Sequence, residues 1–562
     1  MIFKFLKLII FIIVLYQSPL HSKSKTFNQF DSPDLSNYFS GIVAFDNNDN
    51  LEALKFFKSS KNLIKKHDPY FEKYIYSLIL EKEVQKAIYE IKRSLNNSSS
   101  NFFNAYLILA LDSLKKKDFK KSQVYLKNSY KFINNDRFNE IIYESFNEYL
   151  KVFRENKISE KKNKFGNLSF INEVFQRCYL EDINTDVYFR QLTNNQDDMD
   201  YSRYTFFYVH YLIETNKVDK ANELVKNLEF INNSLLVSQS KAWIENKKFD
   251  KFTEVFSCKN PDDILSEFFF LIANIYSSQK EFKQSNFYLN ISHFLNPKFK
   301  FNLSLLAENY YMNDSYEEAK KVLKYFNKED DLYYWFKLKK QTQIITKETN
   351  NEKGLSFINK NFEKINKPSL NMLFDIANLN KSFNKYQDAI DYYDEIISKI
   401  DSNSNLYAEI LYRRGGSYER LGDFKNSDKD LLKSLEINPD DAYVLNYLAY
   451  SWLERNYKIY EAIDMLEKAY ESKSNDPYII DSIGWAYFLV NDFLKAEKFL
   501  KRAVQLMPDD PIVNDHYGDI LWKLNRKIQA RYFWTSVLDL EDTEDKMKKE
   551  INLKLIKGLK AS

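Results

Sequence analysis

Apolar residues return every third or fourth position along most of the chain. In one C-terminal stretch they fall at Leu494, Ala496, Phe499, Leu500, Ala503 and Val504, the spacing that gives a helix a single apolar stripe. The pattern predicts consecutive amphipathic helices joined by short turns.

A longer period lies over the helical one. Gly415, Ala449, Gly484 and Gly518 stand 34, 35 and 34 residues apart. Ser427, Ala462, Ala496 and Ala530 repeat the pattern 12 or 13 residues later. Each unit reads as a helix pair that buries its apolar face only against its neighbours, which predicts a solenoid. Small residues let the two helices approach within about 8–10 Å. A ring three positions on fills the gap beside them. A proline ends the second helix because it has no backbone N–H to donate.

Gly484, Tyr487, Ala496, Ala503 and Pro508 fit this template throughout, as do Gly415, Tyr418, Ser427, Ser434 and Pro439. Ala273, Tyr276, Ser285, Ser292 and Pro297 repeat it, followed by Ala307, Tyr310 and Ala319, then Ala377 and Ala389. N-terminal copies are more worn: Gly41 with Ala53, Ala87 with Ile91, Ala110 with Ser122. Ala221 with Val225, and Trp243 with Phe252, mark two more. About a dozen repeats are expected at this period. Asp440, Asp476 and Asp509 suit the turn or cap before a following helix.

The period breaks at two polar stretches. The organisation read from it is a signal peptide over 1–24, degenerate repeats over 25–155 and an irregular helical linker over 156–205. Middle repeats over 206–340, a second linker over 341–368, C-terminal repeats over 369–540 and a capping helix over 541–562 complete it.

Composition strengthens the helical reading. The chain has 562 residues but only 9 Gly and 10 Pro, with 29% charged and 17% aromatic residues. Few breakers favour helices with short connections. A net charge of +3 with no long single-sign tract gives no case for nucleic-acid binding. At the N-terminus, Lys4 and Lys7 precede an apolar run over 8–16, too short for the ~20 residues that span a bilayer. With Ser22 and Ser24 behind it, the run predicts export, and no transmembrane segment after cleavage. No cysteine lies near the junction, so no lipobox is expected. Cys178 and Cys258 could form a bridge in an oxidising compartment or remain buried thiols.

No catalytic, cofactor-binding or metal-ligating residues are expected. The histidines are scattered, the two cysteines are distant in sequence, and no phosphate-binding glycine loop is present.

The helix–turn–helix pattern resembles the tetratricopeptide repeat, an all-α, right-handed α-solenoid. Residues 405–538 contain VLNYLAYSWLER, EAIDMLEKA, DPYIIDSIGWAYF and AEKFLKRAVQLMPDDPIVNDHYGDILWKLNRKIQARYFW. These strings resemble a family of exported bacterial tetratricopeptide proteins, some of them lipoprotein adaptors of a carboxyl-terminal processing protease. The resemblance implies a non-enzymatic periplasmic adaptor that binds the protease and its cell-wall hydrolase clients. The other reading is a scaffold in outer-membrane or polysaccharide export assembly. A cell-wall enzyme is a third, opposed by the missing catalytic cluster.

In stacked helix pairs the first helices line the inner side. Counting from the small residue, that face carries Tyr443, Asn446, Tyr447 and Tyr450 in one repeat. Tyr478, Asp481, Trp485 and Phe488 follow, then Asp515, His516, Asp519 and Trp522. This predicts an aromatic groove with a polar ladder, suited to protein partners; the other reading is that the rings pack on each other and the aspartates cap or bond neighbouring helices. His516 is open to two readings, a structural hydrogen bond, which is favoured, or a partner contact. Trp452 and Trp534 are expected between repeats. The acidic ladder argues against capture of a peptide carboxylate.

Overall fold

The computed structural model describes residues 31–95, 101–133, 136–158, 164–194, 202–226, 234–328 and 331–559. The expected signal peptide lies outside them. Every regular element among the described residues is helical, and successive helices pack in pairs. None of the described helices is long and apolar enough to cross a membrane.

Within a pair, the turn is made by one residue in the left-handed region. Asn48, Lys82, Lys117, Asn216, Lys247, Lys280, Asp314, Asn384, Gly422, Asn456, Asn491 and Asn525 occupy it, with φ between 50° and 77°. Asn and Gly tolerate this conformation, whereas Lys does so at a cost. The first helices of the C-terminal repeats begin at side-chain caps, serine at Ser369 and Ser404 and aspartate in the last three. The carboxylates of Asp441, Asp476 and Asp510 each accept two backbone N–H groups. Two caps therefore fall one residue after the expected Asp440 and Asp509. The Asp440 carboxylate instead pairs with Lys468 at 2.8 Å.

The described residues divide into two compact units, one up to residue 344 and the other from residue 345. In the first unit the N-terminal and middle segments share one core. Helices Pro261–Ser278 and Phe282–Leu295 form a pair and also pack on helices Asp68–Leu80 and Phe103–Lys115. Tyr76 stacks on Phe287 at 4.4 Å and Phe138 on Tyr276 at 4.4 Å. Asn290 Nδ2 donates to the Leu80 carbonyl at 3.1 Å. Sequence makes this possible: Pro261–Ser278 is apolar on nearly every side, and such a helix must be covered all round. Its most deeply buried carboxylate, Glu267, receives a two-pronged contact from Arg203 at 2.7 and 2.6 Å.

Part of the stretch expected as an irregular linker over 156–205 is described. Helices Asn167–Tyr179 and Thr185–Thr193 lie here, and a Cys178–Cys258 disulfide ties the first to the middle segment. The bridge settles the choice that sequence left between a disulfide and buried thiols. Its Cα atoms are 5.6 Å apart although 80 residues separate them.

The second unit is a run of consecutive pairs. After helix Asn351–Phe362 the pairs run from Leu370–Ser382 with Tyr386–Ile397 to Pro511–Lys523 with Lys527–Asp539, followed by Asp545–Lys557. The small residues work as close-approach points. A Cβ on Gly484 would stand 2.7 Å from Leu500, and one on Gly518 would stand 2.5 Å from Trp534.

Candidate inner groove of the C-terminal repeats

Five first helices contribute to the groove: Leu370–Ser382, Asn405–Arg420, Ala442–Glu454, Pro477–Leu489 and Pro511–Lys523. Their small residues Ala377, Gly415, Ala449, Gly484 and Gly518 turn toward the second helices and are buried. The positions three before, two before and one after them share a neighbouring face of the helix, about 100° round from the small residue, one above another.

Tyr443 and Tyr478 form an exposed edge, 51% and 59% accessible. Further in, Tyr447 packs edge-on against Tyr412 at 5.8 Å and donates its hydroxyl to Glu419 Oε2 at 3.1 Å. Tyr450 is half-buried, and desolvation with Glu454 nearby raises its hydroxyl pKa. Trp485 stacks on Phe488 at 4.8 Å and on His516 at 4.1 Å.

Two acceptors in this floor stand without partners. Asn446 Oδ1 and Asp481 Oδ1 are both shielded from solvent with no hydrogen bond. The other oxygen of Asp481 meets His516 Nδ1 at 2.8 Å. Burial works against the charged imidazole, yet Asp481, Asp515 and Asp519 raise the His516 pKa above its ordinary value. His516 thus has the structural hydrogen bond that sequence favoured.

The last repeat departs from the expected open face. Lys554, from helix Asp545–Lys557, places its ammonium 2.6 Å from Asp515 Oδ1 and 2.8 Å from both oxygens of Asp519. Burial, then Asp515, push Asp519 up to about 6 against the pull of Lys554. Trp522 lies against the backbone of Gly558 and 5.3 Å from Trp534. Asp515, Asp519 and Trp522 therefore face the chain's own terminal helix. That helix must cover the apolar end of the last pair, which has no following repeat. Trp452 and Trp534 are buried between helices, their indole N–H groups bonded to Asp428 and Asp519.

The structure adds a basic end to the groove. Lys381 lies beside Gly416, where a Cβ would be 3.1 Å from its Nζ. Burial, then Arg413 and Arg420, push Lys381 down to about 8. Counting four positions on from Ala377 would have found it, because Phe488 and Trp522 occupy the same position after Gly484 and Gly518. The face is thus basic at one end, aromatic in the middle and acidic toward Asp481.

Residues 408–441 match the model of the tetratricopeptide repeat. That stretch spans one helix pair of the second unit, Asn405–Arg420 with Phe424–Ile437. A TPR repeat-containing protein of Pseudomonas aeruginosa is 33% identical over 110 residues, 20% of this chain and 18% of that protein. The chain thus spans less than a fifth of that relative. Among solved structures, it is similar to a thermophilic TPR protein of Thermus thermophilus, at 16% identity and a TM-score of 0.29, over 34% of this chain and 100% of that one. Yeast Tom70 is similar at 13% identity and a TM-score of 0.36, over 92% and 94%. Scores this low carry no argument about this chain. Repeats of this kind generally serve as non-catalytic protein-binding scaffolds.

Proposed function

We propose that this protein is a non-enzymatic, exported scaffold that works in the periplasm and holds a partner protein in the groove of its C-terminal repeats. One observation carries the reading: Asn446 Oδ1 and Asp481 Oδ1 are buried, unpartnered acceptors, set beside Tyr447, Tyr450, Trp485 and Phe488. A buried acceptor without a donor costs about 1–3 kcal/mol. An extended peptide segment supplies donors through its backbone N–H groups, while its side chains cover the rings. The resemblance over residues 405–538 gives the partner its most specific form, a carboxyl-terminal processing protease with cell-wall hydrolase clients.

The test is a pull-down of the tagged protein from its own envelope extract, with bound proteins identified by mass spectrometry. A Trp485→Ala/Asn446→Ala variant, checked for folding by circular dichroism, runs beside it. Recovery of the protease by the native protein, lost in the variant, supports the adaptor reading. Recovery of export or outer-membrane assembly proteins without a protease replaces it with the assembly scaffold. Equal recovery by both proteins rules the groove out as the site.

A further inference from the structure

A second cluster lies in the first unit, far in sequence from the groove and unused by it. His210, on helix Ser202–Glu214, is fully buried. Its Nε2 meets the Phe256 carbonyl at 2.7 Å. A carbonyl can only accept, so Nε2 carries the proton and Nδ1 keeps a bare lone pair. Nδ1 has no hydrogen-bond partner. Glu214 Oε2 lies 3.9 Å from it, one turn further along the helix. The other Glu214 oxygen accepts from Ser257 Oγ at 2.8 Å. Two lone-pair atoms thus face each other, each held from behind by a second contact. That arrangement is how proteins orient metal ligands.

The third member is sulfur. The ligand atoms of His210, Glu214 and Cys258 all lie within 4.8 Å of one another. Cys178 lies outside that trio but is bonded to Cys258, so its sulfur adjoins the cluster and is released beside it when the bridge opens. Disulfide sulfurs are uncharged and poor ligands, whereas thiolates bind zinc-type ions strongly. We infer that reduction of the Cys178–Cys258 bridge opens a binding site for a zinc-class divalent cation, with Cys178, Cys258, His210 and Glu214 as its four ligands.

The balance of the step is simple. A dithiol reductant gives two electrons and two protons, closes its own S–S bond, and leaves two protein thiols. The cation then displaces both thiol protons to solvent and bonds to two sulfurs, one nitrogen and one oxygen. Two sulfurs, one imidazole and one carboxylate suit a tetrahedral zinc-type ion better than magnesium or calcium, which prefer oxygen. A disulfide oxidant takes the two electrons back by thiol–disulfide exchange and leaves as its dithiol, which releases the ion and restores the bridge. The segment 164–194 is then held to residues 256–258 by a covalent bond in one state and by an ion in the other.

The experiment uses the full chain and Co2+ as a spectroscopic probe. The protein is reduced with dithiothreitol and freed of reductant under anaerobic gel filtration. It is then titrated with Co2+, and the oxidised protein is titrated in parallel. The expected result is a thiolate-to-cobalt charge-transfer band, with tetrahedral d–d bands, that saturates at one equivalent in the reduced protein only. Glu214→Gln and His210→Ala, each confirmed helical by circular dichroism, are expected to weaken binding at least about tenfold. Absence of the band in folded reduced protein overturns the inference. So does a band of equal affinity in both variants, which would mean thiolates acting without this cluster.

Discussion

At the scale of single residues, the groove is governed by what burial does to polar atoms. His516 is pinned between Asp481 and the face of Trp485. Its folded-state pKa is raised, so it binds a proton more tightly folded than unfolded. The stability from its pairing is fully present below the unfolded value of about 6.5 and is lost as pH rises through the folded value. Asp481→Asn removes the partner. Urea midpoints from pH 5.5 to 8.5 should show the second unit weakened by about 3 kcal/mol at the acid end. The deficit should shrink as pH rises. A pH-independent deficit would mean that His516 is neutral throughout. The histidine was visible in the sequence, but its partner was not. Asp481 sits 35 residues earlier, and only stacking of consecutive repeats brings the two together.

At the scale of elements, two rules set each helix pair. The first is close approach at the small residue. Alanine is the better helix former by about 1 kcal/mol, yet Gly518→Ala would push a Cβ to 2.5 Å from the buried Trp534. Gly518→Ala is expected to lower stability by about 2–3 kcal/mol, read from thermal unfolding followed by tryptophan fluorescence. Gly484→Ala, against the more pliant Leu500 at 2.7 Å, should cost less. The second rule is the left-handed turn residue. Lys280 holds φ 62°, so Lys280→Gly should stabilise the first unit by about 1 kcal/mol in urea unfolding. The template made the C-terminal pairs legible because glycine, alanine and proline mark them. In the first unit the same turn falls to lysine at Lys82, Lys117, Lys247 and Lys280 and to Asp314, so at those pairs the marker is conformational and the residue type conceals it.

At the scale of the molecule, the unit boundaries follow long-range packing. The period suggested separate N-terminal and middle blocks, but both share the core of the first unit. Helix Pro261–Ser278 is covered by residues from both. The disulfide closes a loop of 80 residues there. Chain-entropy reasoning gives its removal a cost of about 4.5 kcal/mol. The double variant Cys178→Ser/Cys258→Ser should therefore lower the first unit's transition and leave that of the second in place. Trp243 and Trp335 report on the first unit; Trp452, Trp485, Trp522 and Trp534 report on the second. A common shift of both transitions would contradict independent units.

By itself the sequence determined the all-α class and the helix-pair period, and it set Asn446, Asp481 and Trp485 at repeating positions of successive first helices. These depend on local spacing, and local spacing is written in the chain. Tertiary structure decided which of those residues stay open. The Lys554 ammonium takes Asp515 and Asp519, and Gly558 covers Trp522. It also decided that Cys178 meets Cys258 beside His210 and Glu214. Contacts of that kind join residues with no shared period, so they exist only once the helices have packed.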